Sequence, residues 1–156
     1  MRQIALIPFA VMFAAMLFAG HSNGEKPKSD HDLIQGKWKI VSAAEGGTVA
    51  KPEEYPFTHF EFTADTLSFW GKSERTAKPA AITLTYKLDA SKQPKTMDTS
   101  HELDKGKPII QLAIYALDGD ELKLSLAPAG KPYPTKLESK GDWSFFVLKR
   151  VKKDEK

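Results

Sequence analysis

The chain has 156 residues, 41% of them hydrophobic and 28% charged, which is the composition of one globular domain with a single sizeable core. Its formal charge of +3 is too balanced for a nucleic-acid-binding surface. The absence of cysteine excludes disulfides, thiol nucleophiles, zinc–thiolate sites and iron–sulfur clusters, so the core alone must stabilise the fold.

The first twenty residues differ from everything that follows them. Arg2 supplies a short positive region, residues 4–19 are apolar apart from one proline, and small polar residues come next. This pattern is typical of a secretory leader, and without a cysteine the chain is not a lipoprotein. We expect a signal peptide over 1–22 and export to the periplasm or the medium, with an uncleaved membrane anchor as the minor alternative. A polar linker over 23–31 follows.

A folded domain is predicted over 32–151, with a charged tail over 152–156. Near its start, Asp30 or Asp32 is expected to cap a single helical turn that Gly36 ends. From there on, apolar and polar residues alternate between turn clusters, and no long segment has the helical period.

The alternation predicts about eight short strands joined by short connections. This pattern is typical of an antiparallel up-and-down barrel or a sandwich. A closed barrel of about eight strands has room for a filled core or for one small ligand. The predicted strands lie at 37–43, 57–63, 66–70, 81–88, 94–100, 109–117, 121–128 and 142–150.

The opening Gly36-Lys37-Trp38 resembles the Gly-x-Trp that begins the first strand in the lipocalin superfamily. In that superfamily a basic residue late in the last strand packs over the tryptophan and closes one end of the barrel. The resemblance gives this role to Arg150 or Lys149. We therefore expect Gly36, Trp38 and Arg150 to be structural and to close the barrel.

Five segments, in order, carry a closer resemblance over nearly all of the predicted domain. They read LIQGKWKIVSAAEGG, FEFTADTLSF, YKLDASKQPKTMD, IYALDGDELKLSLAPAGKPYPT and FFVLKR. They resemble a lipocalin-like family of unknown function with many paralogues in planctomycete-type bacteria. Ser125 stands where a cysteine is common in that family, and Tyr133 where an arginine is expected. The resemblance implies an all-β, eight-stranded lipocalin-like barrel with a short N-terminal helical turn, and it implies no activity or ligand.

Patterns that would indicate catalysis or metal binding are weak. His59 and Glu61 share one face of a strand, but a metal site needs further ligands, and Phe60 and Phe62 are expected to occupy the interior face. The sequence contains no Gly-rich phosphate loop, no Gly-x-Ser-x-Gly and no His-Glu-x-x-His. We expect no enzyme activity, no catalytic residue, no cofactor and no bound metal.

Two functions stay open at this point. One is an exported binding module for a small apolar or amphipathic ligand. The other is a filled-core structural or interaction module that uses its rim loops or an exposed face on a cell-envelope protein, with Tyr55, Trp70 and Tyr133 as candidate recognition aromatics. Neither involves nucleic acid or, after leader cleavage, a membrane span. Large inward residues slightly favour a filled or narrow interior. The residues expected to line it are Ile40, Phe60, Phe62, Leu84, Tyr86, Leu112, Ile114, Leu124 and Phe145.

Overall fold

The computed structural model describes residues 28–72, 79–102 and 106–152, and the expected signal peptide over 1–22 lies outside them. Within these ranges the chain forms one short helix and nine strands. Their bounds are α1 Asp30–Ile34, β1 Gly36–Glu45, β2 Thr48–Ala50, β3 Phe57–Phe62, β4 Thr66–Lys72, β5 Pro79–Asp89, β6 Lys95–His101, β7 Ile109–Asp118, β8 Glu121–Leu126 and β9 Ser144–Arg150.

The strands form one antiparallel sheet that closes on itself. Its order is β2-β1-β3-β4-β5-β6-β7-β8-β9, and β1 also pairs with β9. The closing contact runs from Trp38 opposite Arg150 to Glu45 opposite Ser144. Eight strands therefore make a closed barrel, and the short β2 extends the sheet beside the end of β1. The predicted all-β, eight-stranded antiparallel barrel with an N-terminal helical turn is confirmed.

The helical turn is capped by Ser29, whereas Asp30 or Asp32 was expected to cap it. The Asp32 backbone N–H donates to Ser29 Oγ at 3.2 Å, and the Ser29 N–H donates to the Asp32 carboxylate at 3.1 Å. This reciprocal pair is a capping box. Gly36 then starts β1 with a φ of +115°, a backbone conformation that residues with a side chain rarely adopt.

The up-and-down topology gives the barrel two different ends. We call the end that carries α1, Gly36 and Arg150 the closed end, because α1 lies there. The opposite end, at Glu45 and Ser144, is called the mouth. Connections at the mouth are longer, since the segment between β8 and β9 spans 127–143. The inner residues of the strands pack between the two ends in one core cluster.

Candidate functional site

The closed end is held by an arginine that lies over a buried tryptophan. Trp38 is fully buried, and its indole Nε1 donates to the Ile34 carbonyl at 2.7 Å. The Arg150 guanidinium lies 4.2 Å from the indole centroid, and its Nη1 donates to the Gln35 carbonyl at 2.9 Å. A Cβ added at Gly36 would lie 3.6 Å from the same nitrogen. The hydrogen bonds of Trp38 Nε1 and Arg150 Nη1 therefore fix the carbonyls of α1 and the residue after it to the barrel.

A second set of contacts ties α1 to the barrel wall. One carboxylate oxygen of Asp30 accepts from Lys95 Nζ at 2.7 Å and from Tyr115 Oη at 2.8 Å. Burial acts to raise the pKa of Asp30, but the two hydrogen bonds and the Lys95 charge outweigh it and hold this pKa below its ordinary value. Burial of the Tyr115 phenol, together with its hydrogen bond to the Asp30 carboxylate, raises the pKa of Tyr115. The ionised carboxylate is thus the form that stabilises this end.

Side chains fill the deep interior of the barrel. The aromatic rings meet edge to face, with the Phe60 centroid 4.5 Å from that of Phe69 and 5.1 Å from that of Phe146. Trp38 and Tyr115 fill the volume nearer the closed end, and both are almost fully buried. Six residues expected to line the interior belong to this packed core, namely Ile40, Phe60, Phe62, Leu84, Tyr86 and Leu124.

The other three expected lining residues lie on the outer face of the barrel, which corrects the prediction. In β7 the residues that belong to the core are Ala113 and Tyr115, so Leu112 and Ile114, which alternate with them along the strand, point outward. Phe145 points outward for the same reason, since the next residue of β9 packs in the core. β7 is apolar on both faces because the chain between β8 and β9 covers part of its outer face. Alternation alone therefore did not show which residues of β7 point into the barrel.

An apolar cavity of about 230 Å³ opens at the mouth. Its floor and walls are mostly aromatic and aliphatic, and its rim is polar. Ile82, on the wall, is 48% exposed, so this surface is reachable from solvent. The residues that line it are Glu45, Tyr55, Phe57, Phe69, Ile82, Leu84, Gln111, Leu126, Ser144 and Phe146.

The polar rim of the mouth is organised around one carboxylate. Glu45 Oε1 accepts from the Tyr55 hydroxyl at 2.9 Å and from Ser144 Oγ at 3.3 Å. Burial, and then the hydrogen bond to Glu45, raise the pKa of Tyr55 above its ordinary value, so this phenol stays a neutral donor. Across the cavity, Gln111 Nε2 lies 3.5 Å from the Ala127 carbonyl. The mouth therefore combines an apolar pocket with a fixed negative group.

A larger cavity, of about 490 Å³, lies on the outer wall beneath the segment that follows β8. Its charged lining has both signs, with Lys87 and Lys92 beside Asp89 and Asp98. The hydroxyl of Tyr133 donates to Asp98, and this hydrogen bond raises the pKa of the phenol. Tyr133 thus fastens its loop to the wall, and the cavity presents no single charge that would select a ligand.

On the outer wall, the candidate metal ligand His59 contacts the candidate recognition aromatic Trp70. His59 stacks on Trp70 with ring centroids 5.9 Å apart and 6° between the planes. Burial lowers the pKa of His59, which keeps the imidazole neutral. Trp70 Nε1 is buried with no hydrogen-bond partner among the described residues. Within 28–72, 79–102 and 106–152, no three His, Asp or Glu side chains are grouped closely enough to hold a metal ion.

No protein-family model, no curated protein sequence and no solved structure matches this chain. The helix content of the described ranges is one short turn, and none of it is long and apolar enough to cross a membrane. A functional proposal for this protein therefore rests on its fold and on the geometry of the site.

Sequence reasoning missed Glu45, Phe57 and Phe69 as site residues. Glu45 stands before two glycines, a pattern typical of a turn, although it is the last residue of β1. The rings of Phe57 and Phe69 lie 5.5 Å apart on neighbouring strands. Phe69 belongs to the core cluster with Leu67, two residues earlier on the same face of β4.

Proposed function

We propose that the protein is an exported, non-enzymatic, lipocalin-like binding module that holds a small apolar or amphipathic ligand in the mouth of its barrel. The observation that carries this proposal is the apolar mouth cavity of about 230 Å³ above a filled core. An apolar protein cavity of about 150 Å³ holds one benzene molecule. The mouth therefore has room for a ring with a short substituent, and the packed rings of Phe60 and Phe146 set its depth.

The lipocalin-like assignment has two supports in the geometry. The barrel closes between its first and last strands, and Arg150 lies over Trp38 at the closed end. Export is proposed on the leader pattern in residues 1–22. A mouth that opens to solvent while the other end is sealed is what a carrier with one entrance requires.

Ligand binding is tested with two variants that make the same change in different places. Ile82→Trp places a large side chain in the mouth cavity, whereas Ile110→Trp adds the same bulk on the outer face, where Ile110 is 52% exposed. The protein is produced from its full coding sequence and titrated with tert-butylbenzene, with binding followed by NMR of the backbone amides. We expect saturable shifts around Phe57 and Phe69, affinity lowered about tenfold or more by Ile82→Trp, and no change with Ile110→Trp.

The proposal is wrong if wild type shows no saturable binding and native mass spectrometry of the purified protein shows no small-molecule adduct. That pair of results supports the second candidate, a filled-core module that binds a cell-envelope protein.

A further inference from the structure

Four aromatic rings line the mouth and pack against one another at tilted or edge-to-face angles. The Tyr55 ring lies 6.0 Å from Phe57 and 5.4 Å from Phe146, measured between centroids, and Phe57 lies 5.5 Å from Phe69. Each ring carries partial negative charge on its face. A cation placed within about 6 Å of such faces is attracted to them, most strongly where water is excluded.

The single formal charge in this lining is negative. Of the ten described residues around the mouth cavity, Glu45 alone is ionic, and none is lysine, arginine or histidine. Among the described residues, no basic side chain lies within ion-pair distance of its carboxylate. Among the described residues, Glu45 accepts two hydrogen bonds, both at Oε1, from the neutral hydroxyls of Tyr55 and Ser144. These bonds orient the carboxylate, which is exposed at the rim of the mouth.

We infer that the mouth selects a small organic cation, an alkylated ammonium group attached to an apolar body. The inference rests on the proposed function and names its ligand class. The rings of Phe57 and Phe69 meet the apolar body and the alkyl groups, and Glu45 supplies the counter-charge. In the part of the lining that the structure describes, no basic side chain is present to attract an anionic ligand. A neutral ligand buries the same apolar area but gains nothing from the carboxylate.

Two ligands of nearly equal size and shape isolate the effect of charge. Phenyltrimethylammonium and tert-butylbenzene have the same number of heavy atoms and differ in one atom and one charge. We expect wild type to bind the cation at least about tenfold more tightly than the neutral compound. Glu45→Gln is expected to remove this preference, measured as the ratio of the two dissociation constants within the same variant. The control is Glu61→Gln, which makes the same charge change on the outer face of β3, away from the mouth.

A second variant tests the rings. Phe57→Leu keeps an apolar side chain and loses the aromatic face, so it is expected to weaken binding of the cation more than binding of tert-butylbenzene. Melting temperatures close to that of wild type show that each variant is folded. Equal affinity of wild type for the two compounds, or a preference that persists in Glu45→Gln, overturns the inference while the binding function stands. If wild type binds neither compound, the proposed function itself fails.

Discussion

Replacing Arg150 with methionine removes the guanidinium from the closed end and keeps an apolar side chain of similar length. That guanidinium lies 4.2 Å from the centroid of the Trp38 indole and donates hydrogen bonds to the carbonyls of Leu33 and Gln35. It also lies 3.2 Å from the Asp120 carboxylate, but the Asp120 side chain is 57% exposed, so this ion pair contributes little.

The expected loss follows from the contacts that the guanidinium makes. The cation–π contact contributes about 1 kcal/mol, and a hydrogen bond from a charged donor to a carbonyl about 1.5 kcal/mol. Water reaches the two carbonyls after the substitution, because the Arg150 side chain is 24% exposed, and it replaces part of their hydrogen bonding. Arg150→Met should therefore lower the free energy of unfolding by about 2–3 kcal/mol and Tm by about 6–10 °C.

Urea unfolding followed by far-UV circular dichroism measures this loss, and a thermal melt checks it. Lys149→Met is the matched control, because Lys149 is the neighbouring residue of β9 and its side chain is exposed. Arg150→Lys should fall between wild type and Arg150→Met, since an ammonium cannot match the planar stacking or the two-carbonyl geometry. The reasoning is refuted if Arg150→Met and Lys149→Met differ by less than about 0.5 kcal/mol.

Two further substitutions test the anchor of α1 and a close backbone contact. Asp30→Asn should lower the free energy of unfolding at pH 7 by about 2 kcal/mol. Because the folded-state pKa of Asp30 is lowered, wild type loses stability as the pH falls below the reference value of 3.8, and the stability difference between wild type and Asp30→Asn should narrow. Urea unfolding at several pH values measures it, and a difference that does not change with pH would contradict the ionic anchor. Gly71→Ala should cost about 2 kcal/mol or more, because its Cβ would lie 2.1 Å from the Pro56 carbonyl oxygen. Gly106→Ala, which meets nothing within 4 Å, is the control, and equal melting temperatures would count against the steric argument.

Alternation predicted the strands because most of them have one buried and one solvated face. In β3, Phe60 and Phe62 are buried as expected. The inner face of β1 was harder to predict, because its register against β9 shifts between Ile40 and Ser42. Beyond that irregularity Ala43 packs in the core, whereas strict alternation from Trp38 and Ile40 would put Ser42 there. A bulge of this kind depends on the partner strand, so the local sequence does not reveal it.

The mouth was beyond sequence reasoning for a different reason. Its lining comes from β1, β3, β4, β5, β7, β8, β9 and the segment before β3, so each residue looks ordinary in its own strand. Glu45 was indistinguishable from a solvated turn residue until the barrel closed and set Tyr55 and Ser144 beside it. Sheet closure, a long-range property, is what makes these residues neighbours.

Stability and binding are separated along the axis of this barrel. A chain without cysteine must draw its stability from the core, and the packed rings of Phe60, Phe69 and Phe146 supply it at the cost of interior depth. A long acyl chain would need that depth, so the proposed ligand is one small enough for the cavity of about 230 Å³. A small ligand buries little apolar area, and neutral molecules of the same size bury nearly equal areas. For the proposed function, selectivity must then come from a polar or charged group, and our inference assigns it to the carboxylate of Glu45.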